Sequence, residues 1–203
     1  TTSVSNAGTG LLTRSGTISA NGDRVSFASQ IDPLGTNPDG NSEIFVRDLS
    51  ASTTIQVTDT VGGFNGSLSP ALDADGSTVV YVSDRDLDAG QNADGDVEIF
   101  LSDVAGGADQ LTNSTLDPSP LPEPAISGDG NRVAWIGPED TLGTNEDENQ
   151  EIWLHDVTGI GAQQLTSTSG TFQHQGVDLD GAGRPLLATS YDPRTDSTSF
   201  AQI

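Results

Sequence analysis

Three observations predict an all-β protein. Apolar residues occupy only 33% of the 203 positions, yet they are gathered into short runs and not diluted as in a disordered chain. Glycine and proline are frequent, 24 and 10 residues, which supplies many turns. The apolar runs are β-branched and aromatic, as in Thr78-Val79-Val80-Tyr81-Val82-Ser83, the composition of a strand. The length suits one well-cored domain, residues 1–203.

Internal repeats order these runs. Ser19-Ala20-Asn21-Gly22-Asp23-Arg24-Val25-Ser26-Phe27 aligns with Asp73-Ala74-Asp75-Gly76-Ser77-Thr78-Val79-Val80-Tyr81 and with Ser127-Gly128-Asp129-Gly130-Asn131-Arg132-Val133-Ala134-Trp135. A fourth copy surrounds Gly183, so the period is about 54 residues. A second marker recurs in phase, Glu43-Ile44-Phe45-Val46, Glu98-Ile99-Phe100-Leu101 and Glu151-Ile152-Trp153-Leu154. A third is Gln56-Val57-Thr58, Gln110-Leu111-Thr112 and Gln164-Leu165-Thr166.

Each repeat reads as four strands. The first ends in the turn around Gly22, Gly76, Gly130 or Gly183, where glycine supplies the positive φ of a tight turn. The second is the β-branched and aromatic run. A long polar loop follows, then the third strand at the Glu-Ile-aromatic marker and a fourth at the Gln-Val/Leu-Thr marker. Four-stranded units of this length are the blades of a β-propeller, which bury their sheet faces by stacking around an axis. The expected blades are 16–60, 68–113, 122–168 and 176–203. In the last copy the expected strands are 177–179, 186–190 and 199–203, with no fourth. Residues 1–6 occupy the phase of a fourth strand, so the prediction is four blades, the last completed by the N-terminal strand. The alternative is a fragment of a larger propeller.

Asp73-Ala74-Asp75-Gly76 with Val79-Val80-Tyr81-Val82-Ser83, followed by Glu98-Ile99-Phe100, resembles the TolB-type propeller repeat, a relative of WD-repeat and prolyl-oligopeptidase propellers. The resemblance covers essentially the whole chain. It implies the fold and says little of function. Two features depart from it: the loop between strands two and three is longer and more acidic, and the blades are few.

Charge narrows the function classes. Seven arginines and no lysine face 30 acidic residues, a net charge of −23. Such a chain repels nucleic acid and anionic membranes and attracts cations and basic partners. Absence of cysteine excludes disulfides, thiolate metal sites and a cysteine nucleophile. No apolar run reaches the roughly 20 residues of a membrane helix. The chain opens without methionine and without a basic and apolar leader. A mature, secreted protein, extracellular or periplasmic, is therefore expected.

One constellation carries chemistry. The loop before strand three reads Asn37-Pro38-Asp39-Gly40-Asn41-Ser42-Glu43, Asn92-Ala93-Asp94-Gly95-Asp96-Val97-Glu98 and Asn145-Glu146-Asp147-Glu148-Asn149-Gln150-Glu151. An aspartate precedes each: Asp32, Asp86 (or Asp88 in its place) and Asp140. Every one of these side chains ends in oxygen, the ligand type that Ca²⁺ takes, six to eight at about 2.3–2.6 Å. Gathering like charges in one loop without a counter-ion is costly. The expectation is up to three calcium ions, one per loop, liganded from Asp32, Asn37, Asp39, Asn41 and Glu43; from Asp86, Asp88, Asn92, Asp94, Asp96 and Glu98; and from Asp140, Asn145, Asp147, Asn149 and Glu151. Gly40 and Gly95 permit the curl of the first two loops, whereas Glu148 at that place predicts a different turn in the third. The competing account is that Asn, Asp and Gly simply make turns.

Catalytic motifs are weak. No Gly-x-Ser-x-Gly elbow occurs, His155 falls at a variable place on strand three, and His174 is expected in a polar loop. Trp135 and Trp153 read as packing residues. Asn65 and Asn113 open glycosylation sequons. The expected function is a secreted, calcium-binding, non-catalytic binding or scaffold module. One alternative is a self-assembling filament or surface-layer subunit, partnered through its terminal strand. Another is a carboxylate-based hydrolase or lyase on a propeller face.

Overall fold

The structure, a computed structural model, describes residues 13–62, 66–115, 121–140, 142–169, 173–192 and 197–201. It is all-β, and its described strands form two compact units, Thr1–Asn113 and Ser114–Ile203. The N-terminal segment 1–6 assigned to the last blade lies outside the described residues, as does Asn65.

In the first unit, β1 (Thr13–Ile18), β2 (Arg24–Ser29), β3 (Glu43–Asp48) and β4 (Thr53–Gln56) form an antiparallel meander in that order. A second meander follows: β5 (Ser67–Leu72), β6 (Thr78–Ser83), β7 (Glu98–Asp103) and β8 (Asp109–Gln110). The turns between first and second strands are as the glycines required. Gly22 and Gly76 adopt φ of 77° and 73°, and their N–H groups close onto the carbonyls of Ser19 and Asp73.

The two sheets of this unit bury a common core of Ala28, Ile44, Val46, Leu72, Val79, Tyr81, Phe100 and Val104. The in-register aromatic pairs lie inside each sheet. Phe27 faces Phe45 with ring centroids 5.6 Å apart, and Tyr81 faces Phe100 at 6.0 Å. Stacked pairs of this kind add about 0.5–1.5 kcal/mol beyond their buried area. Arg24 joins the sheets: its Nη1 donates to the Gly76 carbonyl at 2.8 Å while its Nε pairs with Asp48 at 3.6 Å. A Cβ on Gly76 would meet the Arg24 side chain at 2.8 Å, so this glycine serves both the turn and the neighbouring arginine.

The second unit repeats the plan. One meander comprises β9 (Ala125–Ile126), β10 (Arg132–Gly137), β11 (Glu151–Asp156) and β12 (Gly161–Gln164). Next come β13 (Gln173–Leu179), β14 (Pro185–Asp192) and β15 (Ser197–Ala201), a sheet with three strands among the described residues. β13 begins four residues before the expected strand, β14 one and β15 two; at β13, pairing with β14 recruits the polar residues Gln173 and His174, which carry no strand signal. Arg132 repeats the staple, donating to the Gly183 carbonyl at 3.3 Å and pairing with Asp156 at 3.5 Å. Trp135 and Trp153 face each other across β10 and β11 and are buried. Successive four-stranded antiparallel meanders make the fold propeller-like. No helix among the described residues is long and apolar enough to cross a membrane.

Candidate cation-binding loops

The polar loop between the second and third strand of a sheet has three fixed points. The first is an aspartate cap. Asp32 accepts the Thr36 N–H at 2.7 Å, Asp140 the Asn145 N–H at 2.7 Å, and Asp86 those of Gly90, Gln91 and Asn92 at 2.8–3.3 Å. The amides of Gly90, Asn92 and Gln91 hold the Asp86 carboxyl below its ordinary range. At Asp32 desolvation acts upward, and the N–H groups of Asn37, Thr36, Gly35 and Leu34 together outweigh it, so its carboxyl too is lowered.

The second fixed point is the asparagine. Asn37, Asn92 and Asn145 are buried. Each donates its amide N–H to a carbonyl four residues on, that of Asn41, Asp96 or Asn149, at 2.9–3.0 Å. The left-handed residue inside this clasp is Gly40 at φ 69°, Gly95 at 77° and Glu148 at 51°. The third loop therefore makes the same turn as the others, contrary to the expectation drawn from Glu148. The clasp over-determines the backbone, and a non-glycine residue is held there at a cost of about 1–3 kcal/mol.

The third point is the glutamate that opens the third strand. Glu43 and Glu151 are 0% exposed and Glu98 is 1% exposed. Their carboxyl groups turn into their own sheets. Thr58 and Thr112 donate to Glu43 Oε2 and Glu98 Oε2, and Thr166 to Glu151 Oε2 at 2.5 Å. Thr60 and Thr168 supply both N–H and hydroxyl to the other oxygen at 2.5–2.8 Å. Each inner threonine also accepts the N–H of the isoleucine after the glutamate, Ile44, Ile99 or Ile152, at 2.8–2.9 Å. The glutamate is thus a lock between strands three and four. In the sequence Thr58, Thr112 and Thr166 recur as repeat markers with no local sign of this role. Their nearly constant separation from the glutamate, 15, 14 and 15 residues, is the signal that would have found it.

The remaining expected carboxylates lie outward. Asp39, Asp94 and Asp147 are exposed, and Asp88 and Asp96 are half-buried. Asp39 accepts the Gly62 N–H at 2.7 Å, and Asp147 accepts from the Asn149 amide at 3.3 Å. Asn41 and Asn149 donate to the connector after the fourth strand, at Thr60 and Thr168. Four amide oxygens in this module are buried with no protein donor: Asn37 Oδ1 and Asn92 Oδ1 at one place in the repeat, Asn41 Oδ1 and Asn149 Oδ1 at another. Among the described residues, no group of three or more His, Cys, Asp or Glu side chains is placed to hold a metal ion. An ion held here would rest on amide and carbonyl oxygens with few carboxylates.

Two further polar groups escaped the sequence. His174 is on β13, not in a loop, and is 7% exposed, with Nε2 at 3.4 Å from Thr166 Oγ1 and 3.6 Å from Glu151 Oε2. Its polar neighbours disguised it, and the sheet buries it. Glu139 is buried beside Trp135, whose indole N–H reaches Glu139 Oε2 at 3.3 Å. Burial raises its carboxyl above the ordinary range, against the hydrogen bonds from its own N–H and Trp135. His155, on β11, is half-buried, and desolvation lowers its pKa.

Solved structures of propeller-type proteins resemble this chain. The tricorn protease matches with a TM-score of 0.49 at 12% identity, over 93% of this chain and 23% of that one. An acylaminoacyl peptidase of Pyrococcus horikoshii matches with 0.48 at 10%, over 95% and 32%. The complex of KlAtg21 with the coiled coil of AgAtg16 matches with 0.52 at 14%, over 89% and 50%. Likeness at such identity concerns the fold alone, and this chain spans a quarter to a half of those three chains. No protein-family model matches the sequence, and no curated protein matches it.

Proposed function

We propose that this chain is a secreted, calcium-braced β-propeller module of the TolB type, with four blades, that binds or scaffolds other molecules without chemistry of its own. The observation that carries the cation is the set of orphaned amide oxygens. A buried acceptor without a donor costs about 1–3 kcal/mol, and here the same loop positions bear that cost repeatedly, at Asn37 and Asn92 and at Asn41 and Asn149. A cation answers acceptors without demanding donors. The exposed carboxylates Asp39, Asp94 and Asp147 and the half-buried Asp96 adjoin in sequence, and the chain's charge of −23 favours any cation. The non-catalytic reading is supported by where the glutamates go: Glu43, Glu98 and Glu151 are consumed by strand locks repeated from sheet to sheet.

Calcium binding only the folded chain stabilises it by about 2.7 kcal/mol at a hundredfold excess over Kd. Melting with chelator, then with calcium restored, is the test. Asp94→Ala should diminish the calcium-dependent rise, while Asp109→Ala, exposed on β8, should leave it intact. Identical melting curves with chelator and with calcium would refute the cation.

A further inference from the structure

The gap between consecutive sheets is built differently in the two units. In the first, Ser42 and Ser67 close it: Ser67 N–H donates to the Ser42 carbonyl at 2.8 Å, and Ser42 Oγ donates to the Ser67 carbonyl at 2.9 Å. Both are buried. In the second unit the aligned residues are Gln150 and His174. They line a cavity of about 250 Å³ instead. The opening therefore stands where the first unit has its serine closure.

Its walls have two characters. Leu121, Ile136 and Val177 supply aliphatic surface. Glu123 supplies a carboxylate and is exposed, and the buried Glu151 lies behind His174 at 3.6 Å. Among the described residues, no arginine lines the cavity. Drug-sized ligands need about 300–1,000 Å³, so this space fits a single long side chain. An aliphatic stem ending in a positive charge matches both wall types, because such a stem packs along apolar surface while its head seeks the carboxylate.

We propose that this cavity receives the side chain of a lysine presented by another protein. This chain has no lysine of its own, so that occupant is not a second copy. The inference deepens the binding-module reading and rests on it, but not on calcium, since the cavity shares no orphaned oxygen with the loops.

The probe is Nα-acetyl-lysine methylamide, titrated against the whole chain by NMR chemical-shift mapping, with the norleucine analogue as a neutral counterpart. Saturable binding of the lysine probe is expected, with the norleucine analogue at least about threefold weaker and Glu123→Gln costing a similar about threefold to fivefold, the scale of an exposed ion pair. Gly176 lines the cavity, and a Cβ there meets nothing within 4 Å. Gly176→Leu should therefore fill the space and abolish binding with the melting temperature retained. Should Gly176→Leu unfold the chain, Glu123→Gln, at an exposed site, decides alone. Equal binding of both probes, no saturable binding, or binding indifferent to Glu123→Gln would overturn the inference. Cleavage of the methylamide, read by mass spectrometry, would overturn the binding-module reading itself. The calcium-dependent melting shift stays the same in both variants, so failure here is distinct from failure of the cation.

Discussion

Replacing Thr58 by valine tests the strand lock directly. Thr58 is buried and nearly isosteric with valine, so packing volume is preserved. Two bonds are lost. The hydroxyl no longer donates to Glu43 Oε2, and it no longer accepts the Ile44 N–H at 2.9 Å. A hydrogen bond to a charged group contributes about 1.5–3 kcal/mol, and an abandoned buried donor costs about 1–3 kcal/mol. Thr60 still supplies its N–H and hydroxyl to the other oxygen of Glu43, which places the expected loss near the low end, about 3 kcal/mol. For a chain of this length that lowers the melting temperature by about 6–12 °C. The control is Thr53→Val, exposed on the same β4, which should change stability by less than about 0.5 kcal/mol. Urea unfolding of the two variants at unchanged m-value compares them. If Thr58→Val unfolds with the same midpoint as Thr53→Val, Glu43 is not held by its threonines and the lock is wrong.

Other perturbations follow from the same geometry. Glu148→Gly should stabilise by about 1 kcal/mol, since it relieves a left-handed non-glycine backbone and glycine's added unfolded entropy takes back part of the gain; a lower urea midpoint would refute the strain. Gly76→Ala should cost more than Gly22→Ala, because both are left-handed but only Gly76 has the Arg24 side chain against it; in an Arg24→Ala background the difference should vanish. Glu139 is raised by burial in the folded state. Its contribution is complete below the ordinary carboxylate pKa and is lost as pH rises through the raised value. Melting of Glu139→Gln against the parent should show the variant gaining as pH increases from about 4 to about 8, and a constant difference would show that Glu139 does not titrate abnormally.

The repeat in the sequence determined the secondary structure and the positions of the turns. The Gly22, Gly76, Gly130 and Gly183 turns are legible because each is a local requirement: a tight reversal needs φ above zero, and glycine meets that need in any surroundings. The β-branched and aromatic runs are legible for the same reason, since a pleated, half-buried surface selects them strand by strand. The candidate loops were legible as a pattern but not as a mechanism. Asn-x-Asp-x-Asn/Asp-x-Glu looks like one set of oxygen ligands when written along the chain. Tertiary structure divides that set. The aspartate before it caps backbone N–H groups, the first asparagine clasps a carbonyl, and the glutamate turns inward to threonines 14 to 17 residues away. Which lone pairs remain without a donor depends on partners brought from the fourth strand and its connector, and these have no local signature. His174 shows the same limit: a histidine among glutamines carries no strand signal, and only the pairing of β13 with β14 buries it beside Glu151. Local backbone preference can be read along a chain, whereas the satisfaction of a buried polar group is a property of the contacts that packing assembles.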